Sequence, residues 1–253
     1  MILFYGTAFS PLHLPLPRSP QHQWALLHEE SPRNQLVLMS NAKVGDFFNV
    51  TATFGRSSDF PLTLQHLYSL EELKSLQFYV SAKEKFAKTS EELSPVLFLS
   101  SDCSSGTDRE EYVSELMKYI PVDSYGQCLH NEDLPPGLES PVSGFMDQRL
   151  LHFVAKYKFH IAIENWACDD YITEKLWRPL IVGSVPIYFG SPSVVDWTPN
   201  GNSSIILTTD FKSPKELATF LKNMKRDEYE KYLSHKRGEI SNARLEKEML
   251  FRR

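Results

Sequence analysis

A short segment between residues 157 and 177 holds the side chains best suited to chemistry. Its first part, Phe159–Ile163, is apolar and predicts a buried strand. A helix is predicted to begin near Asp170, with Glu174 and Lys175 in its first turn. A cation and free backbone N–H groups at such a strand-to-helix junction are well suited to binding a phosphate or diphosphate.

Polar side chains beside this junction are poor choices for packing, but they suit the hydroxyl groups of a sugar or a ribose. They are Glu164, Asn165, Asp170 and Glu174. Together with the cation of Lys175, they predict a nucleotide-sugar site. An ordinary strand, loop and helix with a charged first turn is the alternative interpretation.

The same segment resembles the donor-binding motif of the α1,3-fucosyltransferase family, glycosyltransferase family 10. The matching residues are Tyr157, Lys158, Phe159, Glu164, Asn165, Asp170, Tyr171, Thr173, Glu174, Lys175 and Trp177. The resemblance implies an α/β fold of two Rossmann-like domains that face each other across a cleft (GT-B). It also implies transfer of fucose from GDP-fucose with inversion of configuration.

The resemblance implies roles for several residues of the segment. Lys175 is expected to bind the diphosphate, helped by the start of its own helix. Asn165, Tyr171 and Glu174 are expected to contact the ribose, the fucose and the edge of the base. Glu164 is expected either to join this donor-binding set or to brace the loop.

Inverting transfer requires one carboxylate that takes the proton from the acceptor hydroxyl, because no covalent sugar–enzyme intermediate forms. Glu30 lies in Glu30-Ser31-Pro32, which looks like the family's base-carrying segment. The adjacent Glu29 could share the role or raise the pKa of its neighbour. The alternative interpretation is that both glutamates are solvated loop charges. We predict Glu30 as the catalytic base.

Two arginines are further donor-binding candidates. Arg109 stands in a segment similar to the one that supplies a phosphate-facing arginine in the family. A helix-surface arginine paired with Glu110 or Glu111 explains it equally well. Arg56 lies in a segment, residues 48–59, that resembles the family's interdomain element, and it is expected near the donor.

The elements that must position these residues alternate between strands and helices, which indicates a parallel sheet covered on both faces. A domain boundary is predicted near Ser94-Pro95. It gives an acceptor-side domain over residues 1–95, expected to be incomplete at its start, and a GDP-fucose-binding domain over residues 96–253. The other predicted strands are Ile2–Tyr5, Trp24–Leu27, Leu36–Met39, Phe47–Phe54, Val96–Ser100, Val122–Tyr125, Val185–Phe189 and Ser204–Leu207. Helices are predicted over about 70–93, 109–120 and 147–155, and from Ser213 onward.

Composition limits the class of protein. The chain has 253 residues, of which 42% are hydrophobic and 23% charged, so it is globular. A net charge of −5 argues against a nucleic-acid partner. Neither metal-ligand spacings nor an Asp-x-Asp arrangement is evident, so no metal and no obligatory cofactor are expected beside the GDP-fucose donor.

Several features point to the secretory pathway. Asn49 and Asn202 begin sequons that permit N-glycosylation in its lumen. The cysteines Cys103, Cys128 and Cys168 leave one unpaired, and both a disulfide and a plain buried thiol remain open. No apolar run reaches membrane-spanning length, whereas family members normally carry an N-terminal anchor. The resemblance implies a type II protein of the endoplasmic reticulum or Golgi membrane, and we expect this chain to be a fragment, a short isoform or an incomplete gene model.

Details of the sequence look like the fucosyltransferase 10/11 group rather than the Lewis-antigen enzymes. The segments that carry this likeness are residues 28–32, 168–171, 188–193 and 238–242. The likeness implies a protein acceptor, namely a Ser or Thr hydroxyl in a small cysteine-rich domain. Two alternatives remain: α1,3-fucosylation of N-acetylglucosamine on N-glycans, and a truncated, non-catalytic protein that binds the donor or a client.

Overall fold

The backbone forms two parallel sheets. The alternation of strands and helices predicts parallel strands, and the family resemblance implies the two domains. The computed structural model describes residues 1–36, 38, 42–89, 92–138 and 147–250. Strands β1 (Ile2–Tyr5), β2 (Trp24–His28) and β3 (Val50–Thr53) form the first sheet in that order. The second sheet has the order β5-β4-β6-β7-β8, with β4 (Val96–Ser100), β5 (Val122–Gly126), β6 (Phe159–Ile163), β7 (Val185–Phe189) and β8 (Ile206–Leu207).

The α-helices are short, and most of them follow a strand. In chain order they are α1 (Ala42–Gly45), α2 (Leu70–Lys74), α3 (Ala82–Ala87), α4 (Arg109–Met117), α5 (Gln148–Val154), α6 (Glu174–Val182), α7 (Pro214–Asn223), α8 (Arg226–Tyr232) and α9 (Ala243–Leu250). No helix among the described residues is long and apolar enough to cross a membrane.

Alternate side chains of each strand point to opposite faces of the second sheet. Both faces are covered by packed side chains, so the sheet is buried on both sides. In β6, Phe159, Ile161 and Ile163 pack against α4 and α7, whereas Ala162 packs against α6 on the other face. All five residues of β6 are buried. This two-sided burial explains why the strand is apolar on both faces except at His160, whose Nε2 lies 2.8 Å from the carbonyl oxygen of Val154.

The first sheet has a smaller core of its own. Leu26 of β2 packs there with Phe9, Leu38 and Val44. Phe4 and Phe48 border this cluster, with ring centroids 5.7 Å apart in an edge-to-face arrangement. Such aromatic pairs contribute packing beyond the area that they bury.

The packing changes partner well before the boundary predicted near Ser94-Pro95. Leu64, Leu67 and Leu73 belong to the cluster that covers one face of the second sheet, and Ala82 belongs to the cluster on its other face. We therefore call residues 1–62 the first lobe and the rest of the described chain the second lobe. The domain boundary near Ser94-Pro95 stays a prediction, because an apolar pattern shows that a segment is buried but not against which sheet.

Helix α6 begins at Glu174, four residues later than predicted. Asp170 has a left-handed backbone conformation with φ of 63°, so it lies in the loop before the helix. Thr173 is the N-cap residue, and its side chain accepts a hydrogen bond from the N–H of Lys175. Glu174 and Lys175 occupy the first turn, as predicted.

Basic side chains contact the carboxyl-terminal end of α6. The side-chain nitrogen of Lys85, from α3, donates to the carbonyl of Gly183 at 2.7 Å and to that of Tyr157 at 2.8 Å. Lys236 donates to the carbonyls of Ile181 and Ser75. Burial lowers the pKa of both lysines, and their side-chain N–H groups supply donors to carbonyls at the end of the helix, which have no partner within it. Two distant parts of the chain thereby hold the end of this helix.

Three other predicted elements differ from the structure. The stretch 70–93 contains two short helices, because Ser81 caps α3 and interrupts the run. Leu36 has helical backbone angles rather than those of a strand, while Val37 and Met39 of the same predicted strand lie outside the described residues. The strand predicted from Ser204 begins only at Ile206, after a 3₁₀ turn.

Candidate active site

A cavity of about 770 Å³ lies near the carboxyl ends of β2, β4 and β6. Glu29 and Glu30 follow β2, Ser101 and Asp102 follow β4, and Asn165 lies just beyond β6. The residues that line the cavity are Glu29, Glu30, Arg33, Asn34, Gln65, His66, Leu99, Ser100, Ser101, Asp102, Arg109, Asn165, Tyr171, Thr173, Glu174, Lys175 and Arg178. Open α/β sheets bind ligands at this end of their strands, so this cavity is the candidate active site.

Lys175 places an ammonium group at the start of α6. Its Nζ lies 3.0 Å from Thr173 Oγ1, 3.3 Å from Glu174 Oε1 and 3.4 Å from Glu164 Oε2. Burial lowers the pKa of Lys175, but the two carboxylates outweigh it and raise that pKa above its usual range. The ammonium is therefore charged at neutral pH and faces a cavity bordered by a helix N-terminus.

Glu174 remains ionised because cations surround it. Burial raises the pKa of its carboxyl group, but the charges of Lys175 and Arg178 outweigh burial and lower that pKa to about 2. An ionised carboxylate can only accept hydrogen bonds. Glu174 can accordingly accept from paired hydroxyl groups such as those of a ribose.

Glu164 braces the loop rather than lining the cavity. Its side chain is fully buried, and it accepts from the N–H of Thr173 at 2.8 Å and from the hydroxyl of Thr173 at 3.0 Å and 2.8 Å. Burial is the main cause that raises the pKa of its carboxyl group. Of the two roles expected for Glu164, the contacts are those of a structural residue.

The contacts of Arg109 agree with both interpretations that the sequence left open, pairing with a neighbouring glutamate and a place beside the donor site. Its side chain is 1% exposed, and its Nε donates to Glu110 at 3.0 Å. One terminal nitrogen also donates to the carbonyl of Ile163 at 3.1 Å, and the other donates to that of Asp102 at 2.5 Å. The guanidinium thus joins the ends of β4 and β6 while lining the cavity.

Asn165 and Tyr171 both line the cavity. The Asn165 side-chain oxygen is buried without a hydrogen-bond partner among the described residues. Tyr171 is buried, and its ring packs edge-to-face on Phe54 of the first lobe with centroids 5.2 Å apart. Unpartnered buried polar atoms are rare in folded proteins. The Asn165 oxygen is therefore available to a ligand donor group.

Glu29 and Glu30 bring two carboxylates from the first lobe into the same cavity. Glu30 Oε2 accepts from the side-chain amide of Asn34 at 2.9 Å. Glu29 Oε1 accepts from the hydroxyl of Tyr5 at 2.7 Å. Neither carboxylate forms an ion pair among the described residues, and both line the cavity.

Arg56 does not line this cavity, in contrast to the expectation that it lies beside the donor. Its guanidinium is paired with Asp170 at 2.5 Å and with Asp196 at 2.7 Å. Asp170 was expected to hold sugar hydroxyls, but it uses both oxygens within the protein. The sequence could not reveal this pairing because the two partners of the first ion pair are 114 residues apart.

Three basic residues in the cavity were missed at the sequence level: Arg33, His66 and Arg178. Arg178 follows Glu174 by four residues, a spacing that places both on one face of a helix and could have revealed it. Arg33 crosses between the lobes, since it pairs with Asp102 and donates to the hydroxyl of Ser104 at 3.0 Å. No local pattern around Arg33 or His66 indicates their positions.

Other predicted features lie outside the cavity. Cys103 and Cys128 form a disulfide, and Cys168 keeps a free thiol. Asn49 and Asn202 are both exposed, and N-glycosylation at either site stays a prediction. Within the described part of the chain, no group of three or more His, Cys, Asp or Glu side chains is arranged to hold a metal ion.

Solved structures share this architecture. A crystal structure of α1,3-fucosyltransferase with GDP matches with a TM-score of 0.59 and 18% identity, covering 92% of this chain and 77% of that one. A crystal structure of α1,3-fucosyltransferase with GDP-fucose matches with a TM-score of 0.58 and 19% identity, over 92% and 74% of the two chains. The protein therefore has the two-lobed α/β fold (GT-B) of these transferases, which confirms the predicted fold class.

Sequence comparison gives the family. The model of glycosyltransferase family 10 (fucosyltransferase), C-terminal part, matches residues 87–250, and the chain belongs to this family. GDP-fucose protein O-fucosyltransferase 3 of Gallus gallus and of Homo sapiens are each 50% identical to it over 96% of this chain. The match covers 51% of the first relative and 50% of the second, so the chain spans about half of their length.

Proposed function

We propose that this chain carries the cavity of an inverting fucosyltransferase, which transfers L-fucose from GDP-fucose to a Ser or Thr hydroxyl of a protein in the secretory pathway. The observation that carries the proposal is that Lys175, Arg109 and Glu30 line one cavity. The two cations come from the second lobe and the carboxylate from the first. A leaving group and an acceptor would thus be served from different sides of the cleft.

Lys175 and Arg109 would bind the diphosphate of the donor. Negative charge develops on that diphosphate as its bond to the fucose carbon breaks, and fixed cations stabilise this charge. The N-terminus of α6 adds backbone N–H groups with positive partial charge. Because these groups supply the charge, the proposal requires no divalent ion, and turnover is expected to persist in EDTA.

The remaining residues of the second lobe would hold the donor's hydroxyl groups. Glu174 is an ionised acceptor, and Asn165 offers a buried oxygen without a partner among the described residues. Tyr171 would contact the edge of the base or the sugar from beneath. Hydrogen bonds that fix the sugar matter because its carbon gains positive charge in the transition state.

Glu30 would act as the general base. The acceptor oxygen forms the new bond to the fucose carbon, its proton passes to the carboxylate, and GDP leaves from the opposite face. A single displacement of this kind inverts the configuration at carbon. Glu29 lies beside Glu30 and is the alternative base.

The protein acceptor is proposed from the relatives, whose printed name is GDP-fucose protein O-fucosyltransferase 3. The 50% identity is an average over 96% of this chain, so the aligned region includes most of the first lobe, which would face the acceptor. The Cys103–Cys128 disulfide supports an oxidising compartment such as the lumen of the endoplasmic reticulum or Golgi. Glycoproteins with small cysteine-rich domains are therefore the acceptors to test first.

The test is release of GDP from GDP-fucose, measured with a folded cysteine-rich domain, with the same domain reduced and unfolded, and with an N-glycan that ends in N-acetylglucosamine. Fucose on a Ser or Thr of the folded domain, located by mass spectrometry, is the expected result. Fucosylation of the glycan alone would replace the proposed acceptor. Tight GDP binding without turnover on any acceptor would instead identify a donor-binding protein without activity.

A further inference from the structure

Arg56 and Asp170 form the most extensively hydrogen-bonded ion pair between the two lobes of the described chain. Arg56 Nε lies 2.9 Å and 2.8 Å from the two carboxylate oxygens, and one terminal nitrogen lies 2.5 Å from Oδ1. The backbone N–H of Arg56 donates to the same carboxylate at 3.0 Å. Multiple charge-assisted hydrogen bonds of this kind fix geometry as well as contributing energy.

Asp170 is also held by the second lobe. Its Oδ1 accepts from the indole N–H of Trp197 at 3.0 Å and from the hydroxyl of Ser193 at 2.7 Å. Its own N–H donates to the hydroxyl of Ser191 at 2.9 Å. The carboxylate is 5% exposed, and these donors, Arg56 first among them, outweigh burial and lower its pKa to about 2.

The residues that follow Asp170 lead directly into the candidate site. Tyr171 comes next and lines the cavity, and Thr173 caps α6 just before Glu174 and Lys175. Asp170 itself has a left-handed backbone conformation, which is uncommon for residues other than glycine, although Asn and Asp adopt it more readily than most. The ion pair with Arg56 holds the side chain of Asp170 in this conformation.

On the basis of the proposed function, we propose that Arg56 is a positioning residue, which acts on the donor through Asp170 and not by contact. The ion pair fixes residues 170–173 against the first lobe. It thereby places Tyr171 and the first turn of α6 where the donor binds. Arg56 can link the two lobes because it lies just after β3 of the first lobe, whereas Asp170 lies just before α6 of the second.

Binding of GDP to Arg56→Met, to Asp170→Asn and to the double variant tests the proposal, with calorimetry for affinity and thermal unfolding for stability. Each single variant is expected to bind GDP about tenfold more weakly than wild type, and the double variant no more weakly than either, because coupled partners are non-additive. If Arg56 instead contacted GDP, Asp170→Asn would keep or improve the affinity. That result would overturn the proposal.

Asp196→Asn is the matched control. Asp196 also accepts from Arg56, at 2.7 Å, but its side chain is 43% exposed and it lies outside the 170–173 loop. The control is expected to bind GDP as wild type does. Arg56→Lys keeps the cation, so it should recover part of the affinity lost in Arg56→Met and serves in its place if that variant does not fold.

A merely structural ion pair gives a different pattern. The unfolding temperatures of the variants would fall while the GDP dissociation constants of the folded proteins stayed at the wild-type value, and this would exclude a positioning role. Absence of GDP binding by the wild-type chain would overturn the proposed function and this inference together. Wild-type binding with additive losses in the variants would overturn the inference alone.

Discussion

Lys175 and Glu30 line one cavity although they belong to different lobes, Lys175 in the first turn of α6 and Glu30 in the loop after β2. Their charges are opposite in sign and suit different steps of a transfer reaction. The cation suits the bound nucleotide, whereas the carboxylate suits the incoming hydroxyl. The two residues can therefore be separated by measuring GDP affinity and turnover independently.

Replacing Lys175 by Ala is expected to weaken GDP binding by about 10- to 100-fold, because a hydrogen bond to a charged group is worth roughly 1.5–3 kcal/mol. Isothermal titration calorimetry with GDP measures the loss. Lys222→Ala, an exposed lysine on α7, is the control and should bind as wild type does. An unchanged dissociation constant in the Lys175 variant would remove this residue from the nucleotide site.

Replacing Glu30 by Gln is expected to leave GDP affinity unchanged and to lower kcat by about 10²- to 10⁴-fold, as loss of a general base does. Single-turnover release of GDP in the presence of acceptor measures the effect. Glu29→Gln serves as the comparison and should lose less activity. Equal loss of affinity and turnover in the Glu30 variant would contradict its assignment as the base.

Replacing Glu164 by Ala is expected to lower the free energy of unfolding by about 3 kcal/mol, because it leaves the N–H and the hydroxyl of Thr173 without their buried acceptor and takes one of two carboxylates from Lys175. Glu164→Gln keeps one accepting oxygen and should lose less. Urea titration followed by tryptophan fluorescence gives both values. Glu111→Ala, exposed on α4, is the control, and a Glu164→Ala variant as stable as this control would refute the bracing role.

Lys236 is expected to make stability depend on pH. Burial lowers its pKa to about 7 in the folded protein, whereas the unfolded chain holds the proton up to about pH 10. The unfolded state therefore binds more protons between these values, so stability due to Lys236 rises with pH in that window, by at most about 1.4 kcal/mol per pH unit.

Urea titrations of wild type and Lys236→Met between pH 6 and 10 measure this contribution. The variant is expected to lose part of the slope, and the difference between the two curves isolates Lys236 from other groups that titrate there. Replacing Lys236 by Met should increase the free energy of unfolding less near pH 10 than near pH 6, because the folded wild-type protein holds this side chain uncharged at alkaline pH. Parallel curves would mean that the group keeps its usual pKa in the folded chain.

Much of the fold could be predicted from local sequence, because three strands of the second sheet are mainly apolar. Val96–Ser100, Phe159–Ile163 and Val185–Phe189 have the predicted bounds. Elements with weaker patterns were less well predicted. The stretch 70–93 was predicted as helical throughout. The capping box of Ser81 and Glu84 is a local signal that divides it, whereas only tertiary packing decides that it joins the second lobe.

The candidate site was likewise predicted only in part from the sequence. Six of the predicted residues, Glu30, Arg109, Asn165, Tyr171, Glu174 and Lys175, line the cavity together. Arg56 and Glu164 do not, because each is bound by side chains that local patterns cannot pair with it. A motif identifies a polar residue near a site, but its contacts decide whether it faces the ligand or supports a residue that does.

The lysine contacts at the far end of α6 bear on how sequence variants of this protein are interpreted. Lys85 and Lys236 lie at the last turn of the helix whose first turn lines the cavity, so a substitution at either can disturb nucleotide binding without touching the nucleotide. In a screen that scores only product, such a variant would be grouped with Glu30→Gln. Measuring the folded fraction as well as the activity distinguishes a variant that destabilises α6 from one that removes a reacting group.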